Sequence, residues 1–186
     1  MRTFIAIPVP DEVKQYANNV KKELSLVLTD VKWVEVANYH LTLKFLGDIN
    51  KNMLEDIKQK LITVGESCPS FELSTNELGY FPSNKRPRVI WLGLEGEMEK
   101  AVFLGERVDA YLAQLDFEPE KRRNYHLTLG RIRSEQPQAK IMQKTMDINN
   151  NRKKILFRID EFYFMESQLS SSGPRYLPLA KIKLNG

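Results

Sequence analysis

Cysteine and histidine are both scarce in this chain of 186 residues, which has one cysteine, Cys68, and two histidines, His40 and His126. A lone cysteine excludes an internal disulfide and any zinc cage built on cysteines. No stretch approaches the ~20 apolar residues that span a bilayer. The opening MRTFIAIPVP lacks the longer apolar region and small-residue cleavage site of a signal peptide. A soluble, cytoplasmic protein is expected. Charge of one sign is not in excess either: 28 Lys+Arg against 24 Asp+Glu leave a net +4. That is a lean toward anionic partners, short of a polybasic footprint. With 42% hydrophobic and 28% charged residues, the composition is near the globular average and argues against disorder.

What is present is a repeat. Asn38-Tyr39-His40-Leu41-Thr42-Leu43 recurs as Asn124-Tyr125-His126-Leu127-Thr128-Leu129. An accidental six-residue match anywhere in such a chain has odds of about one in a thousand. The same offset carries Arg2–Ile7 onto Arg88–Gly93 and Phe71–Leu73 onto Phe157–Ile159, strand-like in each case. Two units of this size fill nearly the whole chain. They read as a pseudo-twofold pair of lobes within one domain, residues 1–186, with units of about 2–87 and 88–173 and a C-terminal strand over 174–186.

Hydrophobic periodicity supports the division. A β-rich run at residues 2–8 precedes a helical stripe of Val13, Tyr16, Val20, Leu24 and Val27 behind Pro10-Asp11. A second run at 88–95 precedes Ala101, Leu104, Val108, Leu112 and Leu115. Each His motif alternates as a strand and leads into another helix, marked by Met53, Leu54, Ile57 and Leu61 and then by Ile141, Met142, Thr145 and Met146. Strands near 71–81, 155–167 and 175–184 complete a β-α-(β)-β-α-β order in each unit, an α+β class with antiparallel sheets. Pro82–Pro87 reads as a hinge between units and Ser170–Pro174 as a loop.

Side chains on a strand alternate between faces. His40 therefore shares a face with Thr42, and His126 with Thr128, while the leucines face the core. Two imidazoles and two hydroxyls over a shared cleft suit acid–base chemistry on a phosphate ester. Near neutral pH one imidazole can take a proton from the attacking oxygen while the other gives one to the leaving oxygen. In-line displacement requires them on opposite sides of phosphorus, and the threonine hydroxyls can donate to the nonbridging oxygens. No metal and no other cofactor is required. Two imidazoles also fall short of a zinc ligand set, and no Asp or Glu nearby has i, i+4 ligand spacing. Spacing alone leaves the acid and base roles of the two histidines interchangeable.

The doubled His-x-Thr-Leu pattern, here HLTLKFLG and HLTLGRIR, resembles the 2H phosphoesterase superfamily. Within it the chain is similar to the RNA 2′,3′-cyclic phosphodiesterases, also called 2′-5′ RNA ligases. The likeness extends to Arg2–Ala6, Trp33, Pro87–Trp91, Ser167–Leu169 and Gly173–Tyr176. It implies a bilobal fold with two antiparallel sheets around a central basic cleft and helices outside. It also implies metal-independent hydrolysis of a terminal 2′,3′-cyclic phosphate to a 2′-phosphate, with reversible 2′-5′ ligation. On the family pattern His40 is the proton donor, His126 the proton acceptor, and Thr42 and Thr128 bind phosphate.

Further substrate-binding candidates are Lys44, Arg88, Phe45 and Arg131. Alternation puts Lys44 on the face of His40 and Thr42, within reach of a phosphate. The resemblance makes Arg131 a phosphate or base ligand, but strict alternation sends it to the leucine side unless Gly130 kinks or bulges the strand. Phe45 can stack on a base, although it too alternates with the leucines, as do Tyr39 and Tyr125. Lys85–Arg88 and Lys121–Arg123 suit a polyanion. Cys68 is assigned no role. The expected partner is RNA with a 2′,3′-cyclic phosphate end or a related nucleotide, bound by a monomer. Rival readings are action on a small cyclic nucleotide or a 2′-5′ oligoadenylate, and an RNA-end-binding module without turnover.

Overall fold

A computed structural model describes residues 1–186. The chain runs β1 (Arg2–Pro8), α1 (Asp11–Leu24), β2 (Val31–Trp33), β3 (His40–Asp48), α2 (Leu54–Ser67), β4 (Phe71–Ser83), β5 (Arg86–Gly96), α3 (Met98–Leu112), β6 (His126–Ile132), α4 (Gln138–Asn150), β7 (Leu156–Ile159), β8 (Glu161–Ser170) and β9 (Gly173–Lys183). The α+β class and the antiparallel sheets expected from periodicity are present. One sheet has the order β3-β1-β8-β9 and the other β2-β6-β5-β4-β7. No helix is long and apolar enough to cross a membrane.

The strand order exposes how the repeat is used. β3-β1-β8 in one sheet corresponds to β6-β5-β4 in the other. β4 ends the first repeat unit yet pairs with β5, which opens the second; β8, late in the second unit, pairs with β1. Each sheet thus takes its histidine strand and that strand's neighbour from one unit, and the next strand from the other. A single continuous core of 39 buried residues runs through both. Burial of this contiguous apolar surface supplies the main driving force for closing the exchange.

Local chemistry explains the elements. β1 lies between β3 and β8 and is buried on both faces from Thr3 to Ile7, as its nearly unbroken apolar run requires. α1 carries Asp11 and Glu12 in its first turn and Lys21 and Lys22 in its last, each charge opposing the nearby end of the helix dipole. Its buried stripe is Val13, Ala17, Val20 and Leu24. The helix ends there, so Val27 lies beyond it and Leu28 is the buried residue of the following turn. On α4 the buried residues are Ile141, Thr145 and Ile148, whereas Met142 and Met146 are exposed. The expected hinge at Pro82–Pro87 is instead the tip of a β-hairpin, because β4 and β5 pair through Ser83 and Arg86. Residues 155–167 form two strands rather than one, interrupted at Asp160.

Candidate active site

The two histidine strands lie on different sheets and face one cleft of about 710 Å³, lined by His40, Thr42, His126 and Thr128. His40 opens β3 and His126 opens β6. Leu41, Leu43, Leu127 and Leu129 are buried behind them, as alternation dictates.

Alternation then fails in both strands at the same place. Across β1 and β3, Ala6 pairs with Thr42 but Ile5 pairs with Lys44, leaving Leu43 as an extra residue. Across β5 and β6, Trp91 pairs with Thr128 but Ile90 pairs with Gly130, leaving Leu129 extra. A one-residue bulge inverts the phase of everything after it. Phe45, 65% exposed, and Arg131 therefore turn into the cleft alongside the His-Thr pairs. The alternation that sends Phe45 to the core is corrected by this bulge, and Arg131 reaches the cleft by the irregularity its placement requires.

After the inversion Lys44 still borders the cleft, but from its buried side. Its side chain is 2% exposed and its Nζ donates to Asp109 Oδ1 on α3 at 2.7 Å, and also to the Glu118 carbonyl. Its ammonium already has a buried carboxylate partner, which competes with the phosphate expected for it from the sequence. The position equivalent to Lys44 is Gly130. A Cβ there would lie 2.9 Å from Trp33 Cε3 and 3.0 Å from Val31 Cγ1, because β2 covers β6 while β3 is a sheet edge. Arg88 is a second correction. Val89 pairs with Arg131 and shares its face, so Arg88 points the opposite way and is exposed outside the cleft. Of the two basic runs, Arg122 and Arg123 line the cleft, while Lys85 and Arg86 do not.

The two imidazoles sit in different surroundings despite identical hexapeptides. A 3-10 turn at Val36–Asn38 precedes His40 and brings the Asn38 carbonyl 2.7 Å from Nδ1. A carbonyl can only accept, so Nδ1 carries the proton and the Nε2 of the neutral ring faces Thr42 Oγ1 at 2.9 Å. The Asn38 side chain in turn donates to the Pro174 carbonyl at 2.9 Å. Phe4 and Tyr176 flank the His40 ring at centroid distances of 5.0 and 5.3 Å. Phe81 and Trp91 flank His126 at 5.1 and 5.9 Å. Burial holds the His40 pKa below its ordinary value; the Asn38 carbonyl opposes this and Lys14 reinforces it. His126 is lowered to about 4, first by burial and then by Arg131. Tyr39 and Tyr125 pack inward as alternation predicts, with Tyr39 2% exposed and Tyr125 donating to the Ala101 carbonyl.

Arg2, Phe4, Trp33 and Tyr176 also line the cleft. Sequence reasoning gave them no role in the site because they come from β1, β2 and β9, and no local pattern joins those strands to the motifs. Cys68 is buried and free. No three His, Cys, Asp or Glu side chains converge as a metal site.

Comparison with known proteins matches this geometry to a family. The family model for LigT-like phosphoesterases matches residues 7–91 and again 94–176, one match on each repeat unit. An RNA 2′,3′-cyclic phosphodiesterase of Thermotoga maritima is 31% identical over 186 residues, covering 100% of this chain and 97% of its own. One from Archaeoglobus fulgidus is 34% identical over 182 residues, covering 96% and 98%. Among solved structures, a protein of Thermus thermophilus superposes with a TM-score of 0.82 at 25% identity, over 100% of this chain and 99% of that one. The fold of E. coli LigT, solved with 3′-AMP, gives 0.73 at 22% identity over 100% and 98%. With both repeat units matched and full-length relatives above 30% identity, the chain belongs to the LigT-like phosphoesterase family.

Proposed function

We propose that the protein hydrolyses the 2′,3′-cyclic phosphate at an RNA end to a 2′-phosphate, with His40 as general acid and His126 as general base. The observation that carries this reading is the convergence of two His-Thr pairs, from two sheets, on one cleft. Full-length relatives named for this activity support it.

Burial and Arg131 keep His126 unprotonated near neutral pH, the form that can take a proton from water. Burial disfavours the imidazolium of His40 and the Asn38 carbonyl only partly offsets this. A bound phosphate anion draws the proton onto the ring, and because the carbonyl fixes Nδ1–H that exchangeable proton sits on Nε2. Water attacks phosphorus as His126 removes its proton; the P–O3′ bond breaks and His40 protonates the departing 3′ oxygen. Thr42 and Thr128 donate to the nonbridging oxygens, where negative charge is held in the transition state. The same groups serve 2′-5′ joining when the 5′-hydroxyl of a second strand replaces water: His126 takes its proton, its oxygen bonds to phosphorus, the P–O3′ bond breaks and His40 protonates the departing 3′ oxygen. In the reverse direction the 3′-hydroxyl attacks the 2′-5′ link and re-forms the cyclic ester. No step in this scheme calls on a metal, so turnover is expected to survive EDTA.

An RNA end is favoured over a free mononucleotide by Arg2, Lys32, Arg122 and Arg131 along the cleft, because cations spaced along a groove track a phosphate backbone. The test is end-group analysis of an oligonucleotide with a 2′,3′-cyclic terminus. The reading predicts a 2′-phosphate product, faster turnover than for a cyclic mononucleotide, and no product from His40→Ala or His126→Ala. Tight binding of the end by the wild type without any product would overturn it in favour of a binding module.

A further inference from the structure

A buried charge cluster outside the histidine pairs has no part in the chemistry above. Asp109 on α3 is 7% exposed. Its carboxylate accepts from Lys44 Nζ at 2.7 Å, from Arg123 Nη2, and from the Glu120 backbone N–H at 3.0 Å. Two cations and one anion taken out of water are costly to bury, and a plain apolar contact between helix and sheet would pack as well.

The places of its partners in the chain explain its presence. Lys44 follows Thr42 by two residues, on the far side of the β3 bulge. Arg123 precedes His126 by three, and its Nη1 donates to the carbonyl of Leu43, the extra residue of that bulge, at 3.1 Å. One carboxylate on a helix therefore ties together both histidine strands. The same helix face continues the contact at four-residue spacing. Tyr125, adjacent to His126, donates its hydroxyl to the Ala101 carbonyl at 2.9 Å. Between Ala101 and Asp109, Gly105 gives the segment room: a Cβ there would lie 2.8 Å from both Arg123 Nη1 and Tyr125 Oη.

We propose that Asp109 is a positioning residue which, through Arg123 and Lys44, sets the separation of the His40-Thr42 and His126-Thr128 pairs, with α3 as the plate that holds residues 123–125. The inference rests on the proposed hydrolysis for its kinetic readout. Two groups acting on opposite sides of one phosphorus tolerate little displacement, and an error of about 1 Å can cost on the order of 100-fold in rate. The cleft residues Arg2, Lys32, Phe45 and Arg131 are left in place.

The test compares Asp109→Asn, Tyr125→Phe and Gly105→Ala in the full-length protein, at temperatures where circular dichroism shows each fully folded. The result expected is a fall in kcat of about 10-fold or more, with KM within twofold of wild type. Because the chain has only two histidines, their imidazole resonances are assigned by His40→Ala and His126→Ala, and the His126 signal is expected to move in all three variants. Wild-type kcat together with an unmoved His126 signal in folded Asp109→Asn overturns the proposal. If that variant does not fold, the same pair of results in Tyr125→Phe, which removes only a hydroxyl, overturns it. A wild type that turns over no cyclic phosphate refutes the functional reading instead, and the imidazole signals then decide the positioning role alone.

Discussion

Phe45 and Arg131 stand at equivalent positions in the two repeat units, and both enter the cleft because a single extra residue, Leu43 or Leu129, interrupts the strand before them. The duplicated bulge equips the same backbone position with a flat aromatic on one side and a guanidinium on the other. The two halves are alike in how they present their histidines and different in what they set into the cleft.

Arg131 is predicted to act on both binding and titration. Arg131→Ala raises KM by about 10-fold and lowers the salt slope of RNA binding by about one, as expected for a lost phosphate contact. Removing that cation also lets the His126 pKa rise from about 4 toward its ordinary value, which an NMR titration reads. Arg131→Lys keeps both properties closer to wild type. An unchanged salt slope in Arg131→Ala contradicts the assignment.

The pH dependence follows from the burial of both rings. In the free enzyme each pKa lies below 6.5, with His126 near 4, so the bell of kcat/KM is centred on the acid side of 6.5. A bound phosphate anion favours the imidazolium forms, and the bell of kcat moves to higher pH. The apparent values belong to the pair. Both profiles centred above pH 7.5 would refute this. Stability follows the same sign: unfolded His126 protonates near pH 6.5 while the folded one does not, so stability drops as pH falls from 6.5 toward 4.

Gly130→Ala tests the covering of β6 by β2. The added methyl meets Trp33 and Val31, and overpacking of this kind costs about 1–3 kcal/mol. A fall in Tm of roughly 3–10 °C is expected for a domain of this size. An unchanged Tm shows that β2 yields freely.

The threonines are predicted to act in the transition state more than in binding. Thr128→Val lowers kcat by about 100-fold, with little change in KM, and Thr128→Ser recovers most of the loss. Thr42→Val does the same and also frees His40 Nε2 from its hydroxyl partner. A KM effect without a kcat effect would make them simple binding groups.

Much of this was legible in the sequence, because duplication and a two-residue period are local signals. The repeat located the histidines, the threonines and the leucine backing, and period counting found all four helices. Strict alternation misled beyond Thr42, since a bulge is set by pairing with β1, which the pattern of β3 does not encode. The ion pair of Lys44 was not legible either, its partner Asp109 lying 65 residues away. Arg88 was misread because its facing depends on its register with β6. Met142 and Met146 show the limit of hydrophobicity as a guide to burial: both are apolar and both are exposed. The exchange of β4 and β8 between sheets also left no local trace, since strand partners are chosen only in three dimensions.

The division of labour between the histidines is tested most directly with a cyclic substrate whose 3′ bridging oxygen is replaced by sulfur. A thiolate leaves without a proton, so the general acid becomes dispensable while water still needs its base. The account predicts that His40→Ala, inactive on the oxygen substrate, opens the sulfur substrate at a rate near wild type, and that His126→Ala remains inactive on both. Rescue of His126→Ala and not of His40→Ala would contradict it.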